Sequence, residues 1–489
     1  MALKPLAFQE WVPDQPDIGN EFVEIAKNVL PTARGYLPMK ELSQYAASST
    51  DSTPLAAIAV IASDRSVNFF CGDAGKLYKY NSGTSDWDDV SKSGGYTTTA
   101  AWNFAQYGDL IVATNYVDDP QYFDLTTSTL FADLTTETKY RYVTVIGDFI
   151  VGANTFDSVD QETSYRVRWS GIGRPTQWAI SAETQSDYQD VFNGGEILAI
   201  SGAGEYGVIL MRDAIWRMTY VGAPLVFDFQ EVERSQGVLA EKSIAVHGGK
   251  VFYLAEDGFY MFDGAQSQPI GFEKVNRWFL DDADANEFAK MSVAVDPANR
   301  YVAWSYVSAT LGGTTPNRVL IYNWDLNRWS YIDQAAYVIA RLLVPGLTLE
   351  DLNSISTSID ALPASLDSRI WVGGNTLFAA LSSAGAIQTF SGDNLQAEIQ
   401  SANYQLGGGR SIVSGVHPIT SGDGTVTVAV ASKLKTTDAD SFGANSTQDE
   451  TGYCPMDSEG RYHRFKMLAS GNYTHLQGLN VEYSETGAR

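Results

Sequence analysis

A short pattern that recurs along the first two thirds of the chain constrains its fold more than any other feature. Residues 107–115 and 146–154 each contain Gly-Asp followed by a short apolar run that ends at Asn. The two glycines, Gly108 and Gly147, are 39 positions apart. Each copy predicts a turn followed by a buried strand. Further copies are found at 206–210, 248–254 and, in degenerate form, 299–304.

An alternating aromatic strand follows most copies of this pattern. It is found at 75–80, 121–124, 214–218, 258–263 and 318–323. Tyr78 and Tyr122 are 44 positions apart, and so are Trp216 and Tyr260. A period of about 40–50 residues with about four short strands is typical of propeller blades. Several units are closed by a tryptophan: Trp87, Trp178 and Trp329.

The sequence therefore predicts an all-β protein built on a β-propeller with six or seven irregular blades. One four-stranded sheet cannot bury both faces alone, whereas radial stacking of several sheets buries them. The aromatic side chains are expected to pack between blades. Residues 343–366 are expected to form an insertion or a single helix. Units are predicted at 54–90, 97–133, 140–181, 195–232, 241–278 and 290–335, with a candidate seventh within 368–401, where 370–374 and 385–392 resemble strands.

The two ends of the chain differ from the repeats, so we divide it into three parts. Residues 1–53 are punctuated by prolines, which favour extended geometry, and are expected to form an arm that lies on this chain or on a neighbouring subunit. Residues 54–401 would form the propeller. Residues 402–489 begin near a glycine-rich hinge and are expected to form a β-sandwich-like module. Three of its segments alternate at strand period: 425–430, 462–467 and 476–483.

Acidic residues strongly outnumber basic ones. The formal net charge is −25, from 58 acids and 33 bases, and residues 1–400 carry −23 of it. Such a surface repels nucleic-acid phosphate and anionic lipid, which argues against sequence-reading DNA binders and membrane-surface proteins. Two interpretations stay open. The charge forms either a solvated surface that aids solubility or the wall of a lumen along which DNA slides without sticking.

No catalytic, cofactor-binding or metal-binding residue is predicted. Residues 202–207 match a dinucleotide-binding fingerprint only superficially, because no helix is expected to follow, and they are interpreted as a turn between strands. Cys71 and Cys454 are expected to be buried free thiols. The sequence contains no P-loop and no nucleophile elbow. The four histidines form no i, i+4 pair and no cluster with cysteine. They are His247, His417, His463 and His475.

Paired acids are the remaining candidates for chemistry, because some propellers are glycosidases. General acid–base catalysis needs two carboxylates at a fixed separation in a cleft, and adjacency in sequence does not supply that. Aspartates are also favoured in turns because they hydrogen-bond nearby backbone. We therefore expect a protein that is not an enzyme and that uses no cofactor. The pairs concerned, all expected in turns or loops, are Asp88-Asp89, Asp118-Asp119 and Asp281-Asp282.

Neither export nor membrane insertion is expected. The first ten residues contain no apolar core of signal-peptide length. No stretch of the sequence approaches the ~18 apolar residues that span a bilayer. We therefore expect synthesis in the cytoplasm without export by the standard route.

Several segments spread along the whole chain share motifs with one known protein family. They are 10–17, 26–31, 35–36, 102–109, 120–124, 168–178, 460–466 and 474–478. In these segments the chain resembles the tail hub or tail nozzle proteins of short-tailed bacteriophages (podoviruses). The shared motifs are structural in character, and the family offers no catalytic residues to carry over.

The resemblance implies a homohexameric ring in the virion tail, below the portal and adaptor rings, around a channel for DNA ejection. It also implies docking surfaces for fibres or tailspikes, and passage of genomic DNA without sequence recognition. Two alternatives remain. A carbohydrate-binding or glycan-active β-propeller would gather acids and exposed aromatics in one cleft. A protein-interaction propeller of the kelch or WD type would carry cleaner repeats than these.

Overall fold

The computed structural model describes residues 2–17, 21–46, 48–203, 206–234, 236–343 and 376–487, together with 356, 358–359 and 362. Strands dominate this part of the chain, which confirms the all-β prediction. The helical elements in it are short. They are one α-helix, α1, at Asn276–Asp282 and two 3-10 helices, at Glu241–Ser243 and Ala285–Lys290.

Seven antiparallel four-stranded units surround a central axis. Six of them are separate sheets, and the seventh, at residues 292–332, is part of a larger sheet. The innermost strand of each unit contacts the innermost strands of both neighbouring units, so the contacts close into a ring. This arrangement confirms the β-propeller prediction, and we number the units blades 1 to 7 in the order of their innermost strands.

The strands of each blade follow one another from the axis outward, so the innermost strand is named first. Blade 1 contains Ala56–Ile61, Val67–Gly72, Leu77–Asn81 and Asp86–Asp89, and blade 2 contains Asn103–Tyr107, Leu110–Thr114, Gln121–Asp124 and Ala132–Asp133. Blade 3 contains Lys139–Ile146, Phe149–Asp157, Gln161–Trp169 and Asp187–Asp190, and blade 4 contains Ile197–Ala203, Tyr206–Met211, Ala214–Gly222 and Val226–Arg234. Blade 5 contains Ala245–His247, Lys250–Ala255, Gly258–Phe262 and Ser267–Pro269, and blade 6 contains Ser292–Asp296, Tyr301–Tyr306, Arg318–Asn323 and Arg328–Ile332.

Blade 7 is assembled from both ends of the propeller sequence. Its three inner strands are Val338–Leu343, Thr376–Leu381 and Ile387–Asn394, and its outermost strand is Lys40–Ala46. The predicted 1–53 arm therefore contributes a strand to the propeller, because closing the ring by hydrogen bonds requires pairing between distant parts of the chain. Apart from residue 343 and a few isolated positions, the predicted insertion at 343–366 lies outside the described residues, and so does the segment 370–374.

The repeated pattern occupies an equivalent place in successive blades. The Gly-Asp turns join the innermost strand to the second strand, and Gly108 and Gly147 both have a φ of 56°. This left-handed conformation is accessible to glycine without steric cost. The second strands that follow, such as Leu110–Thr114, are mostly buried, as predicted. The aromatic pattern forms the third strands. Trp87 and Trp329 lie on outermost strands, whereas Trp178 lies in a loop.

Aromatic and aliphatic side chains fill the space between adjacent blades. In the described part of the chain there are seven buried apolar clusters, and each of them spans two neighbouring blades. Between blades 3 and 4, for example, the rings of Trp169 and Phe227 meet edge to face with centroids 5.0 Å apart. The prediction that aromatics pack between blades is therefore confirmed.

The C-terminal part of the chain is built on a long antiparallel hairpin. Its two strands, Arg410–Lys433 and Tyr462–Gly487, pair along almost their whole length. Shorter strands extend the sheet on both sides. We refer to the hairpin and these additions as the C-terminal sheet, whose further strands are Ala2–Ala7, Val29–Thr32, Gly35–Pro38, Ala397–Ser401, Ser446–Thr447 and Cys454–Gly460.

The C-terminal sheet is one curled sheet, which corrects the expectation of a sandwich of two sheets. The register shifts between Ser421 and Gly422, and Gly422 has a φ of 91°. A Cβ atom on Gly422 would lie 2.4 Å from a backbone oxygen, so this bend requires glycine. Because the sheet curls there, Val416 and Val428 from opposite halves of one strand belong to the same buried cluster.

A strand near the N-terminus joins the propeller to the C-terminal sheet. Val23–Lys27 pairs with the outermost strand of blade 6 on one side and with Ala397–Ser401 on the other. Ala397–Ser401 pairs in turn with the long hairpin, so one sheet runs from blade 6 into the C-terminal sheet. Beside it, Trp11 is completely buried against Trp278 and Tyr331. The first residues of the chain therefore lie against the chain's own domains.

Candidate functional site

The seven innermost strands enclose a central cavity with a volume of ≈ 400 Å³, and all seven blades contribute to its lining. Slightly more than half of the lining surface is apolar, because these strands carry small or β-branched residues there. A second cavity of ≈ 480 Å³ lies toward the opposite end of the axis and shares part of this lining. The residues common to both include Ile58, Ile244, Val246, Val293 and Ile339.

One end of the central cavity carries a group of polar side chains. Arg141 and Tyr142 lie near the start of the innermost strand of blade 3, and Glu241 and Lys242 belong to the 3-10 helix that precedes blade 5. The Tyr142 hydroxyl donates a hydrogen bond of 2.5 Å to Glu241 Oε2. This bond joins blade 3 to the connection before blade 5, and burial raises the pKa of the Tyr142 hydroxyl far above neutrality.

Arg141 is held by an aromatic ring and by one weak ion pair. Its guanidinium lies 4.2 Å from the centroid of the Tyr116 ring, within the range of a cation–π contact. Its Nη2 is 3.4 Å from Glu162 Oε1, and both side chains of this ion pair are well exposed. An exposed pair of this kind contributes little energy. Arg141 therefore keeps most of its five N–H donors for other partners.

Lys242 is the unpaired cation of this group. Among the described residues, none forms a hydrogen bond or an ion pair with its ammonium group. Burial lowers the pKa of Lys242, and the neighbouring Glu241 carboxylate only partly opposes that effect. The Lys242 side chain is half-buried, so its ammonium has lost part of its water without gaining an anionic partner among the described residues. The polar end of the cavity therefore contains a cation that no described side chain pairs.

The opposite end of the axis has a different composition. His247, at the end of the innermost strand of blade 5, lies against the ring of Trp324 with centroids 5.3 Å apart. Gln106 and Arg341 line the same cavity. His247 has an aromatic neighbour here. Within the described ranges, no group of three or more His, Cys, Asp or Glu side chains able to hold a metal ion occurs.

The other histidines lie in the C-terminal sheet. His463 is fully buried between the hydroxyls of Ser411 and Ser432, each 2.8 Å from one of its ring nitrogens. Burial lowers the pKa of His463 to about 4, so the ring is neutral at neutral pH. His417 lies 3.5 Å from Glu482, and His475 is 3.0 Å from the Gln477 amide. None of the three lines the central cavity.

The aspartate pairs are separated in space and have different partners. Asp88 and Asp89 lie on the outermost strand of blade 1, and Asp281 and Asp282 lie at the end of α1, so these pairs are not in turns as expected. Asp118 and Asp119 do lie in a loop, where Asp118 accepts hydrogen bonds from residue 97. Asp282 is buried and pairs with Arg318 at 2.8 Å.

The remaining sequence predictions concern residues 202–207 and the cysteines. Residues 202–203 and 206–207 belong to consecutive antiparallel strands of blade 4, whereas residues 204–205 lie outside the described residues. Cys71 and Cys454 are buried and unpaired, which confirms their expected state. Across the residues that the structure describes, no helix combines the length and apolarity needed to cross a membrane.

Sequence reasoning did not identify the polar group at the central cavity. Arg141, on the innermost strand of blade 3, and Lys242, in the connection before blade 5, are 101 positions apart, and neither belongs to a motif. The one available signal was position: each lies at the start of an innermost strand or directly before one. A propeller places these positions around one end of its axis, so charges there are candidates for a site.

The fold defines this chain as a β-propeller protein with an attached curled β-sheet. No protein-family model matches its sequence, and no curated protein matches it either. A solved structure with some similarity is the extracellular domain of BT4673 from B. thetaiotaomicron, described as a putative one component system. It shares 11% sequence identity, with a TM-score of 0.40 over 81% of this chain. The match spans 43% of that protein's chain, which is less than half of its length.

Proposed function

We propose that this protein is a non-enzymatic structural subunit of the virion tail of a short-tailed bacteriophage, a tail hub or nozzle protein. In this role about six copies form a ring, by the family resemblance described above. The ring gives a channel for DNA ejection and a platform for fibres or tailspikes, and it joins the portal and adaptor rings above it. Its location is the virion tail, after synthesis in the host cytoplasm.

The observation that carries this proposal is the continuous sheet that joins the propeller to the C-terminal sheet. Val23–Lys27 is hydrogen-bonded on both sides, so two bodies that could move independently are tied by backbone pairing. Asp14 adds a further tie by accepting hydrogen bonds from the backbone N–H groups of Arg277 and Trp278. A subunit that must hold its shape in a ring wall benefits from such rigidity.

Two of the segments that resemble tail hub proteins make buried packing contacts. Residues 10–17 contain the buried Trp11, whose indole Nε1 donates a hydrogen bond of 2.9 Å to the backbone oxygen of Glu24. In residues 168–178, Arg168 donates to the backbone oxygen of Trp178 at 2.9 Å. These two segments therefore contribute to packing, which agrees with a family whose shared motifs are structural.

Exposed apolar side chains on one face of blades 3 and 4 suit a contact between subunits. Leu225 is 74% exposed in the loop between the third and outermost strands of blade 4, and Val221, just before that loop, is 53% exposed. Ile180, in the equivalent loop of blade 3, is 57% exposed. The Tyr220 hydroxyl donates to Gln185 Oε1 at 3.1 Å, so the two loops are adjacent. Exposed apolar groups on adjacent loops favour an interaction surface.

The DNA path in this proposal lies between subunits and not through the propeller axis. The central cavity has the size of a small-molecule pocket, and slightly more than half of its lining is apolar. The net charge of −25 fits a channel wall that repels phosphate and releases DNA readily. Contact with genomic DNA would then be transient and independent of sequence.

Electron microscopy of the purified protein, alone and mixed with virion tail components, tests this proposal. We expect a closed ring of about six copies with a central hole once tail components are present. The variant Leu225→Asp should weaken the ring, because it places a charge in the proposed contact. The matched control is Val159→Asp, since Val159 is 85% exposed but lies in a loop on the opposite face of blade 3.

A monomer that persists in the presence of tail components would contradict the proposal. In that case a glycan-binding screen would test the alternative of a carbohydrate-binding propeller. Equal effects of Leu225→Asp and Val159→Asp on the ring would reject the subunit contact at blades 3 and 4 while leaving the ring itself in place.

A further inference from the structure

We propose that the central cavity of the propeller is a binding site for a small organic carboxylate with an apolar or aromatic body, and that Lys242 is its charge partner. This site is separate from the ring contacts proposed above and does not depend on them. The inference rests on the volume of the cavity, the composition of its wall and the arrangement of charges at one end.

The volume and the wall suit a small ligand. Pockets for small molecules measure roughly 300–1,000 Å³ and combine mostly apolar walls with a few polar groups. The central cavity, at ≈ 400 Å³, lies within this range. Side chains such as Ile58, Ile244 and Val293 provide an apolar wall, while the polar groups are gathered toward Arg141 and Lys242. A ligand with one charged end and one apolar end matches this division.

The charges at the cavity favour an anion over a cation. Three carboxylates lie near the polar end, and each already has a partner: Glu241 accepts the Tyr142 hydrogen bond, Glu162 pairs with Arg141, and Glu196 pairs with Arg212 at 3.2 Å. Lys242 has no partner among the described residues, and Arg141 has only one ion pair. A carboxylate would therefore satisfy a cation that the folded chain leaves unpaired.

A singly charged group fits better than a phosphate. Phosphate sites commonly use several backbone N–H groups or clustered arginines. The polar end of this cavity offers one unpaired lysine and one partly paired arginine beside three acids. In a protein with a net charge of −25, a ligand with a single negative charge meets less repulsion than one with two.

Isothermal titration of the full-length protein with 2-naphthoate, octanoate and the neutral amide 2-naphthamide tests the proposal. We expect at least one of the two carboxylates to bind, and 2-naphthamide to bind at least tenfold more weakly than 2-naphthoate. Lys242→Met keeps the length of the side chain and removes its charge, so it should weaken carboxylate binding at least tenfold. Lys242→Arg should retain most of it.

Lys250→Met is the matched control, because Lys250 is exposed on the second strand of blade 5 and lines no part of the cavity. It should change the affinity by less than twofold. The melting temperature of each variant shows whether it is folded. The proposal is wrong if neither carboxylate binds at millimolar concentration, if the amide binds as tightly as 2-naphthoate, or if Lys242→Met and Lys250→Met weaken binding equally. Electron microscopy of Lys242→Met with tail components keeps the two proposals apart. If the variant still forms the ring, a failure of carboxylate binding rejects the cavity site and leaves the proposed tail function in place.

Discussion

The indole Nε1 of Trp87 in blade 1 donates a hydrogen bond of 2.9 Å to the backbone oxygen of Gly385 in blade 7. The two residues are 298 positions apart, yet they meet because blades 1 and 7 are neighbours in the closed ring. Phe69 packs on the same indole with ring centroids 5.4 Å apart. This contact and the strand Lys40–Ala46 hold the ring closed.

Replacing Trp87 with phenylalanine should destabilise the closed ring. The variant Trp87→Phe keeps an aromatic ring but loses a buried hydrogen bond, and we expect the free energy of unfolding to fall by about 1–2 kcal/mol. Urea unfolding followed by circular dichroism measures the change. Trp216→Phe is the control, because the hydrogen bond of Trp216 to residue 193 is exposed and should contribute less. Equal losses in the two variants would contradict a special role for the contact between blades 1 and 7.

The adjacent aspartates at the end of α1 should respond very differently to substitution. Asp282 is buried and accepts hydrogen bonds of 2.8 Å from Tyr306, Ser308 and Arg318. Burial alone would raise the pKa of Asp282, but these hydrogen bonds and the Arg318 charge outweigh it, and the pKa is lowered. Asp282→Asn leaves the buried Arg318 without one of its two carboxylates, so we expect a loss of about 3–5 kcal/mol.

The matched control for that experiment is Asp281→Asn. Asp281 is exposed, and substitutions of this kind usually change stability by less than about 0.5 kcal/mol. Thermal unfolding of both variants at pH 7 gives the comparison. If Asp281→Asn destabilises the protein as much as Asp282→Asn does, the loss comes from the helix end and not from the buried ion pair.

His463 should make the protein less stable in mild acid. Its pKa is about 4 in the folded chain, whereas an exposed histidine titrates near 6.5. The unfolded chain therefore binds this proton more tightly than the folded chain. The free energy of unfolding is highest above about pH 6.5, where His463 is neutral in both states, and it falls as the pH drops toward 4. The full effect is on the order of 3 kcal/mol.

The free energy of unfolding, measured between pH 7 and pH 4 for the unchanged protein and for variants, checks this prediction. The variant His463→Gln should show a shallower loss of stability with acid than the unchanged protein, whatever its stability at pH 7. His475→Gln, which replaces a half-buried histidine on the same strand, is the control. Parallel curves for the unchanged protein and His463→Gln would show that another group is responsible.

Glu24 should make the protein less stable as the pH rises, which is the opposite of the effect of His463. Burial raises its pKa to about 7, with Arg464 opposing this effect and Asp17 and Asp440 adding to it. The folded chain therefore holds this proton more tightly than the unfolded chain, so stability is lost as the pH rises from about 4.5 through 7. Glu24→Gln should raise the melting temperature at pH 8 and have little effect at pH 5.

The control for Glu24→Gln is Glu21→Gln, because Glu21 lies on the same segment but is exposed. It should not change the melting temperature at either pH. A stabilising effect of Glu24→Gln that is equal at pH 5 and pH 8 would show that the carboxylate charge is not the cause.

Local sequence was sufficient to predict the blades because their signals are short-range. The Gly-Asp turns at Gly108 and Gly147, and the aromatic third strands, follow directly from turn conformation and from the alternation of buried side chains. The second strands and the packing of aromatic rings between blades were predicted for the same reason. The C-terminal hairpin was also recognised as strands. Its curl was missed because the bend at Gly422 depends on a register shift between strands about 50 residues apart.

The sequence by itself determined the class of fold, the positions of most strands and the absence of familiar catalytic motifs, because these depend on residues close together in the chain. The tertiary structure decided how the ring closes, where the N-terminal strands pair and which charges meet at the central cavity. Lys40–Ala46 joins blade 7, and Arg141 and Lys242 face the same cavity, only because seven blades close around one axis. Such pairings depend on long-range geometry, which no local pattern encodes.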